Sequence, residues 1–385
     1  MAAMIREGYK RLGDYIEPVD ERNSTLSVKL SQGICNNKYF ITPRQVAENS
    51  ANDKIVRKGQ FAYNRATTRN GDKISIAYRE GDDCTVSSAY QVFRITDENK
   101  LNPHYLWMWF RRPEFDRYAR FKSRGSAHEF FEWDEMCDVY LPIPDIEIQK
   151  RIVAEYQAVE LRLSANNRLI EKLEETAQAI YRKMFVDDID KDSLPLGWRM
   201  GTLEDLGEII SGATPSTEVP EYWDENGISW LSPADLSRDE TLFMIRGAKS
   251  ISTLGYKSAS TKLLPKGSVL FSSRAPIGLM AIADAELCTN QGFKSLVPSN
   301  SIGTEYCYYV LLNLRDRIAN ENTGATFAEV SGSTMKQYEA LVPSGNACKM
   351  FSEKILPIHN HIRNIEKESR LLLTTRSLLL SKLTQ

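Results

Sequence analysis

The side chains best suited to chemistry in this sequence are bases, amides and hydroxyls set at turn-like positions. They suit binding better than catalysis. In the first half, Lys58 precedes the run Tyr63-Asn64-Arg65-Ala66-Thr67-Thr68-Arg69-Asn70. Arg and Asn match the bidentate edges of guanine and adenine, whereas Thr, Lys and backbone amides suit phosphates. A second basic stretch holds Arg111, Arg112, Arg117, Arg120, Lys122 and Arg124 and ends at Gly125-Ser126. The second half offers Thr214, Ser272-Ser273-Arg274, Thr289-Asn290-Gln291 and Thr323-Gly324-Ala325-Thr326. A solvated helix face or loop accounts for any one of these equally well; their recurrence in both halves points to a nucleic-acid surface.

Catalytic look-alikes are present and do not hold together. Pro144-Asp145-Ile146-Glu147-Ile148-Gln149-Lys150 resembles a nuclease centre, but its spacing is E-x-x-K and acids at a helix start favour the dipole. His359-Asn360-His361 places two histidines two residues apart, on different sides of a helix, and reads as a solvated helix face. Asn102-Pro103-His104-Tyr105 has no glycine-rich cofactor loop before it and reads as a helix N-terminus. No P-loop occurs. The six cysteines form no C-x-x-C pair, and four histidines make no ligand-spaced cluster, so neither a metal site, a disulfide framework nor an enzyme active site is expected.

The elements that must position these groups are repeated. Leu12-Gly13-Asp14-Tyr15-Ile16 reappears as Leu206-Gly207-Glu208-Ile209-Ile210, an offset of 194. Lys58-Gly59 matches Lys266-Gly267, with Arg65 as the counterpart of Arg274. From Gly125 onward the offset holds at 199. After Pro144 the seam Tyr156, Val159, Leu163, Asn166, Ile170, Leu173, Ala177, Ile180, Met184 steps by alternating threes and fours, a heptad pattern. Ile355, Ile358, Ile362, Ile365, Ser369, Leu372, Arg376, Leu379, Leu383 is the same series 199 residues on.

Two helices of about 40 residues, about 60 Å long each, are expected to pack on one another antiparallel. The fold class is therefore α+β: two mixed α/β globular regions separated by a long antiparallel coiled-coil pair, with an internal pseudo-two-fold repeat. The expected divisions are a globular region at 1–144, a helix at 145–186, an acidic linker at 187–198, a second globular region at 199–343 and a helix at 344–385. Strands are expected at Lys73–Tyr78, Cys84–Val86 and Ser268–Phe271, with one helix per globular region, near Tyr105–Arg120 and Thr304–Asn320.

Charge divides along the same lines. The chain has 385 residues with 49 Lys+Arg against 51 Asp+Glu, a net −2. This excludes a polycation, not a segregated basic face. Residues 1–144 sum to +2 and 241–343 to +3, whereas 191–240 carry −8. No apolar run of membrane-spanning length and no signal-like N-terminus is present, so a cytoplasmic protein without membrane association is expected.

The whole chain resembles the specificity subunit of bacterial type I restriction-modification enzymes. The second half carries the pattern: Leu194-Pro195-Leu196-Gly197-Trp198, Ser211-Gly212-Ala213-Thr214-Pro215-Ser216, Tyr222-Trp223, Gly227-Ile228-Ser229-Trp230-Leu231-Ser232-Pro233-Ala234-Asp235-Leu236, Ser273-Arg274-Ala275-Pro276-Ile277-Gly278, Thr289-Asn290-Gln291-Gly292-Phe293 and Gly324-Ala325-Thr326-Phe327. The first half departs from it, with Ser31-Gln32-Gly33 and Val86-Ser87-Ser88-Ala89-Tyr90. The resemblance implies that each globular region is a target recognition domain reading one half of a bipartite double-stranded DNA sequence. It implies that the helix pair sets the spacer and docks two modification (methyltransferase) subunits, which recruit restriction subunits. S-adenosylmethionine, ATP and Mg would belong to those partners, with no cofactor in this chain. A coiled-coil scaffold without sequence-specific DNA binding is the alternative.

Overall fold

The computed structural model describes residues 8–43, 50–66, 73–123, 129–187, 189–322 and 329–384. It divides into two compact units, Met1–Leu163 with Leu371–Gln385, and Ser164–Arg370.

In the first unit an antiparallel sheet runs in the order Ile16–Val19, Tyr90–Ile95, Phe61–Asn64, Ile76–Tyr78. Its strands alternate between two buried faces, as a period of two requires. Phe61, Tyr63, Ile76 and Phe93 join a core with the helices Pro103–Phe110 and Pro113–Lys122. Ala62, Ala77 and Val92 face the paired strands Lys54–Val56 and Cys84–Val86. The expected strand at Lys73–Tyr78 is confined to Ile76–Tyr78. The single helix expected near Tyr105–Arg120 is two helices. Pro113 supplies no N–H and forces Arg112 into extended backbone (ψ 139°), so the chain breaks there and restarts. Asn102 caps the first of them, its Oδ1 accepting from His104 N–H at 2.9 Å and Tyr105 N–H at 3.2 Å.

The second unit repeats the sheet as Gly207–Ser211, Lys294–Pro298, Val269–Phe271, Met280–Ala283, then adds Phe243–Met244 parallel to the last strand. A further sheet orders Lys249–Ile251, Trp223–Leu231 and Cys288–Thr289. One helix, Thr304–Glu321, covers the core. Both halves make the same turn before the central strand. Gly59 (φ +88°) donates to Arg79 O and Gly267 (φ +91°) to Ala283 O, each at 2.8 Å, in a conformation that favours glycine.

Backbone bonds correct the repeat register near the N-terminus. Leu12 N–H donates to Val139 O and Leu203 N–H to Tyr338 O, so the partner of Leu12 is Leu203 and the offset is 191 rather than 194. The short L-G match to Leu206-Gly207 is a coincidence of two small motifs. Downstream the 199 offset is kept by structure: the short helices Trp133–Cys137 and Gly332–Lys336 coincide under it.

The long helices run Ile146–Phe185 and Gly345–Lys382. Within the first unit, Val153 and Tyr156 pack in a core with Leu379, Leu380 and Leu383, and Arg376 Nη1 lies 3.4 Å from Glu160. Within the second, Ala177, Tyr181 and Phe185 pack with Phe351, Ile355 and Ile362, while Asn166 Nδ2 donates to Ser369 Oγ at 3.1 Å. Rising numbers on one helix meet falling numbers on the other, so the pairing is antiparallel in each unit. The seam positions Tyr156, Leu163, Ile355, Ile362 and Ile365 are buried; Val159, Ile170, Leu173, Ile180, Ile358, Leu372 and Leu379 are half-buried. The apolar stripe is wider than a two-helix seam. Tyr181, Phe185 and Phe351 add a flank that packs on Tyr306 and Tyr309 of the Thr304–Glu321 helix.

Candidate nucleic-acid interface

In the second region the expected residues converge. The chain leaves strand Gly207–Ser211 at Gly212, where a Cβ would lie 2.1 Å from Asn290 O and 2.3 Å from Thr289 O; only glycine fits so close a backbone approach. Ala213 N–H then donates to Thr289 O at 2.9 Å, and Trp230 Nε1 to Ala213 O at 3.0 Å. This places Thr214 against Gln291, the hydroxyl donating to Gln291 Oε1. Asn290 turns the chain, its Oδ1 accepting from Gly292 N–H at 2.9 Å. Gly292 O accepts from Ser273 N–H at 2.7 Å, which brings in the end of strand Val269–Phe271. Thr214, Arg274 and Gln291 are exposed, Asn290 is half-buried and Ser273 is buried. Ser273 therefore supports the loop through its backbone and does not present its hydroxyl. Thr326 lies outside the described residues.

Sequence reasoning missed two members of this cluster. Glu329 Oε2 lies 2.9 Å from Arg274 Nη2, and its Oε1 lies 3.8 Å from Lys294 Nζ. Lys294 is nearly buried, and burial lowers its pKa against the opposing pull of Glu329. Nothing in its neighbourhood, Gly-Phe-Lys-Ser-Leu, distinguishes it from an ordinary strand lysine; only the fold brings it to Glu329.

In the first region the candidates do not form one patch. Lys58 sits at the turn before strand Phe61–Asn64, its N–H donating to Asp83 at 3.0 Å beside the Arg57 pairs with Glu21 and Asp83. Asn64 and Arg65 lie at the opposite end of that strand. Arg65 Nη1 is 3.3 Å from Glu132 Oε2, and its guanidinium lies 6.0 Å from the Phe130 ring. Thr68, Arg69, Arg124 and Ser126 lie outside the described residues. The matching of Arg65 with Arg274 is one residue out. Phe131 N–H donates to Arg65 O as Val330 N–H donates to Ser273 O, so Arg65 stands where Ser273 does.

The basic stretch of the first region is largely neutralised. Arg111 pairs with Glu160 (3.3 Å), Arg112 and Arg117 with Glu114 (3.3 and 3.1 Å), Arg120 with Glu129 (2.7 Å) and Lys122 with Glu135 (2.9 Å). Arg112 is buried, its guanidinium 4.3 Å from the Trp109 ring centre. Arg246, Lys249, Lys257 and Lys262 are exposed, and among the described residues none has a carboxylate partner. Lys249 lies 5.2 Å from the Trp223 ring, itself edge-on to Trp230.

The catalytic look-alikes are structural. Lys150 pairs with Glu147 at 2.8 Å on the first turn of the central helix, while Gln149 is buried and bonds Lys100 O and Pro144 O. The solvated reading of His359-Asn360-His361 is corrected at His359, which is buried against Tyr309 with Nε2 3.1 Å from its hydroxyl; burial lowers its pKa to about 4. The helix presents a third flank to the globular region at this point, which a two-helix seam does not anticipate. Among the described residues no His, Cys, Asp and Glu cluster could hold a metal, and no helix is long and apolar enough to cross a membrane.

Comparison with known proteins gives these surfaces a context. Residues 195–369 match the family described as type I restriction modification DNA specificity domain. The chain is 34% identical over 187 residues to the type I restriction enzyme MjaIX specificity subunit of Methanocaldococcus jannaschii, a match covering 48% of this chain and 43% of that one. It is 22% identical over 405 residues to the HindI specificity subunit of Haemophilus influenzae, covering 86% of each. The crystal structure of a type I restriction-modification system S subunit from M. genitalium shares the fold, with a TM-score of 0.62 at 14% identity over 100% of this chain and 98% of that one. The domain match and both relatives point to type I restriction specificity subunits as what this chain resembles, the chain spanning about 43% of the MjaIX subunit's length and 86% of the HindI subunit's.

Proposed function

We propose that the chain is the DNA-reading subunit of such a system and that each globular region reads one half of a bipartite duplex sequence. The observation that carries this is the gathering of Thr214, Asn290, Gln291 and Arg274 at one sheet end in the second region. The first region places Asn64 and Arg65 at the corresponding strand end. Amide and guanidinium groups are the side chains that read adenine and guanine edges bidentately, and the hydroxyl of Thr214 suits a phosphate.

The chain carries recognition and not chemistry in this reading. Adenosylmethionine-dependent adenine methylation would be supplied by two modification subunits docked on the helix pair, and ATP- and Mg-dependent cleavage by restriction subunits recruited through them. The complex would work in the cytoplasm. The paired helices, whose register is held by Asn166 with Ser369 and by Glu160 with Arg376, would set the spacer between half-sites.

The test is methylation mapping. The full chain is assembled with its modification subunits in a host lacking other adenine methylation, and methylated sites are read genome-wide. A single bipartite motif with a fixed spacer is expected. Methylation without a discrete motif, or assembly without sequence preference, returns the chain to a scaffold.

A further inference from the structure

An arginine–glutamate pair stands at the same strand end in both regions, yet it is built from residues that do not correspond. Backbone bonds equate Arg65 with Ser273, and the antiparallel bridges Ala66–Phe130 and Arg274–Glu329 equate the next positions. The first region therefore sets its arginine where the second has Ser273, and its acid, Glu132, where the second has Ser331. The second region sets its arginine where the first has Ala66, and its acid where the first has Phe130. A pair inherited once with the scaffold would keep its positions. Its return at shifted positions indicates a demand made by the surface itself.

All four side chains are partly open to solvent: 39% and 55% for Arg65 and Glu132, 46% and 35% for Arg274 and Glu329. Pairs so placed open at little cost. We propose that Glu132 and Glu329 are gates, each occupying the arginine of its own region until the correct DNA half-site takes it. This rests on the DNA-reading function. Once a phosphate or guanine edge takes the arginine, the freed carboxylate stays at the DNA surface. It is repelled there unless a donor such as the cytosine amine faces it. Wrong sequences meet the repulsion without that compensation, so the acid weakens them more than the right one. In the second region the same acid restrains Lys294 as well as Arg274.

The test uses the full chain assembled with its modification subunits, binding first to random-sequence 30-bp duplexes and then to a selected pool. Glu329→Gln is expected to tighten random-duplex binding about three- to tenfold and to steepen the salt dependence by about one unit of slope. It should relax selection in the half-site read by the second region and leave the other half-site intact. Glu132→Gln should do the mirror image. Glu329→Asp, which keeps the charge, should stay at the wild-type level for random duplex and so separates gating from a packing defect. Glutamine variants that bind random duplex no tighter and select with wild-type fidelity overturn the gate while the reader stands. A wild-type complex that selects no sequence overturns the reader and the gate with it.

Discussion

The first region's principal sheet ends at Ile76–Tyr78, whereas the second continues past the equivalent strand Met280–Ala283 to Phe243–Met244 and carries a further three-stranded sheet. That extra strand is anchored by the C-terminal helix. Glu366, nearly buried, accepts from Leu242 N–H at 2.6 Å and Phe243 N–H at 3.3 Å, and Arg363 lies 4.1 Å from the Phe243 ring. The position 199 residues earlier, Asn167, is exposed. One scaffold therefore supports two different edges, and near the added one Arg246 and Lys249 are exposed, with no carboxylate partner among the described residues. The lesson is that the shared strands hold the proposed reading surface while the additions build a different edge beside it.

The largest expected effect probes how differently the two regions use their helices. Phe351 is fully buried among Phe185, Tyr309 and Tyr181, while Ile152, 199 residues earlier, is half-buried. Phe351→Ala should cost about 3–5 kcal/mol of stability and Ile152→Ala distinctly less, measured by denaturant unfolding of each variant. Equal losses would mean that the second region depends on the helix no more than the first.

Glu366 gives a pH signature the first region lacks. Burial raises its pKa from 4.5 to about 7, despite the two backbone N–H donors and Arg370. A raised carboxylate favours the folded state below the unfolded pKa, and that contribution is lost as pH rises through the folded one. Between pH 4.5 and 7 the wild type should therefore lose roughly 3 kcal/mol relative to Glu366→Gln. His359, lowered by burial, acts in the opposite sense but is common to both proteins, so the difference isolates Glu366. A flat difference would show that strand Phe243–Met244 is not held by an ionising group.

At the proposed reading surface, Gly212→Ala drives a methyl group into Asn290 O and Thr289 O, and the loop carrying Thr214 must shift. The strain is about 1–3 kcal/mol. Half-site selection by the second region should fall roughly tenfold, with the first half-site unchanged. The smallest effects compare the charged surfaces. Lys257→Ala or Lys262→Ala should each reduce the salt slope of DNA binding by about one unit, whereas Arg117→Ala, already paired with Glu114, should change it by less than about half a unit.

Much of the scaffold is legible in the sequence because periodicity is a local record of burial. The three-four seam locates both helices, and the 199 offset carries that reading from one to the other. What stays hidden depends on contacts distant in sequence. Glu329 meets Lys294 only through the sheet, and the pairing of Lys122 with Glu135 needs the Pro113–Lys122 helix docked against Trp133–Cys137. Composition makes the first region's basic stretch look like a DNA face because a base count does not reveal which bases are already occupied. The one-residue error between Arg65 and Arg274 has a related cause. A residue-type match ignores which backbone groups are hydrogen-bonded, and those bonds set strand register.

The central claim is that the two regions read independently. Exchanging residues 199–343 for the corresponding region of a type I restriction enzyme specificity subunit, followed by genome-wide methylation mapping of the assembled complex, tests it most directly. One half of the bipartite motif should change completely, while the other half and the spacer length remain. A motif unchanged by the exchange, or altered in both halves at once, would contradict it.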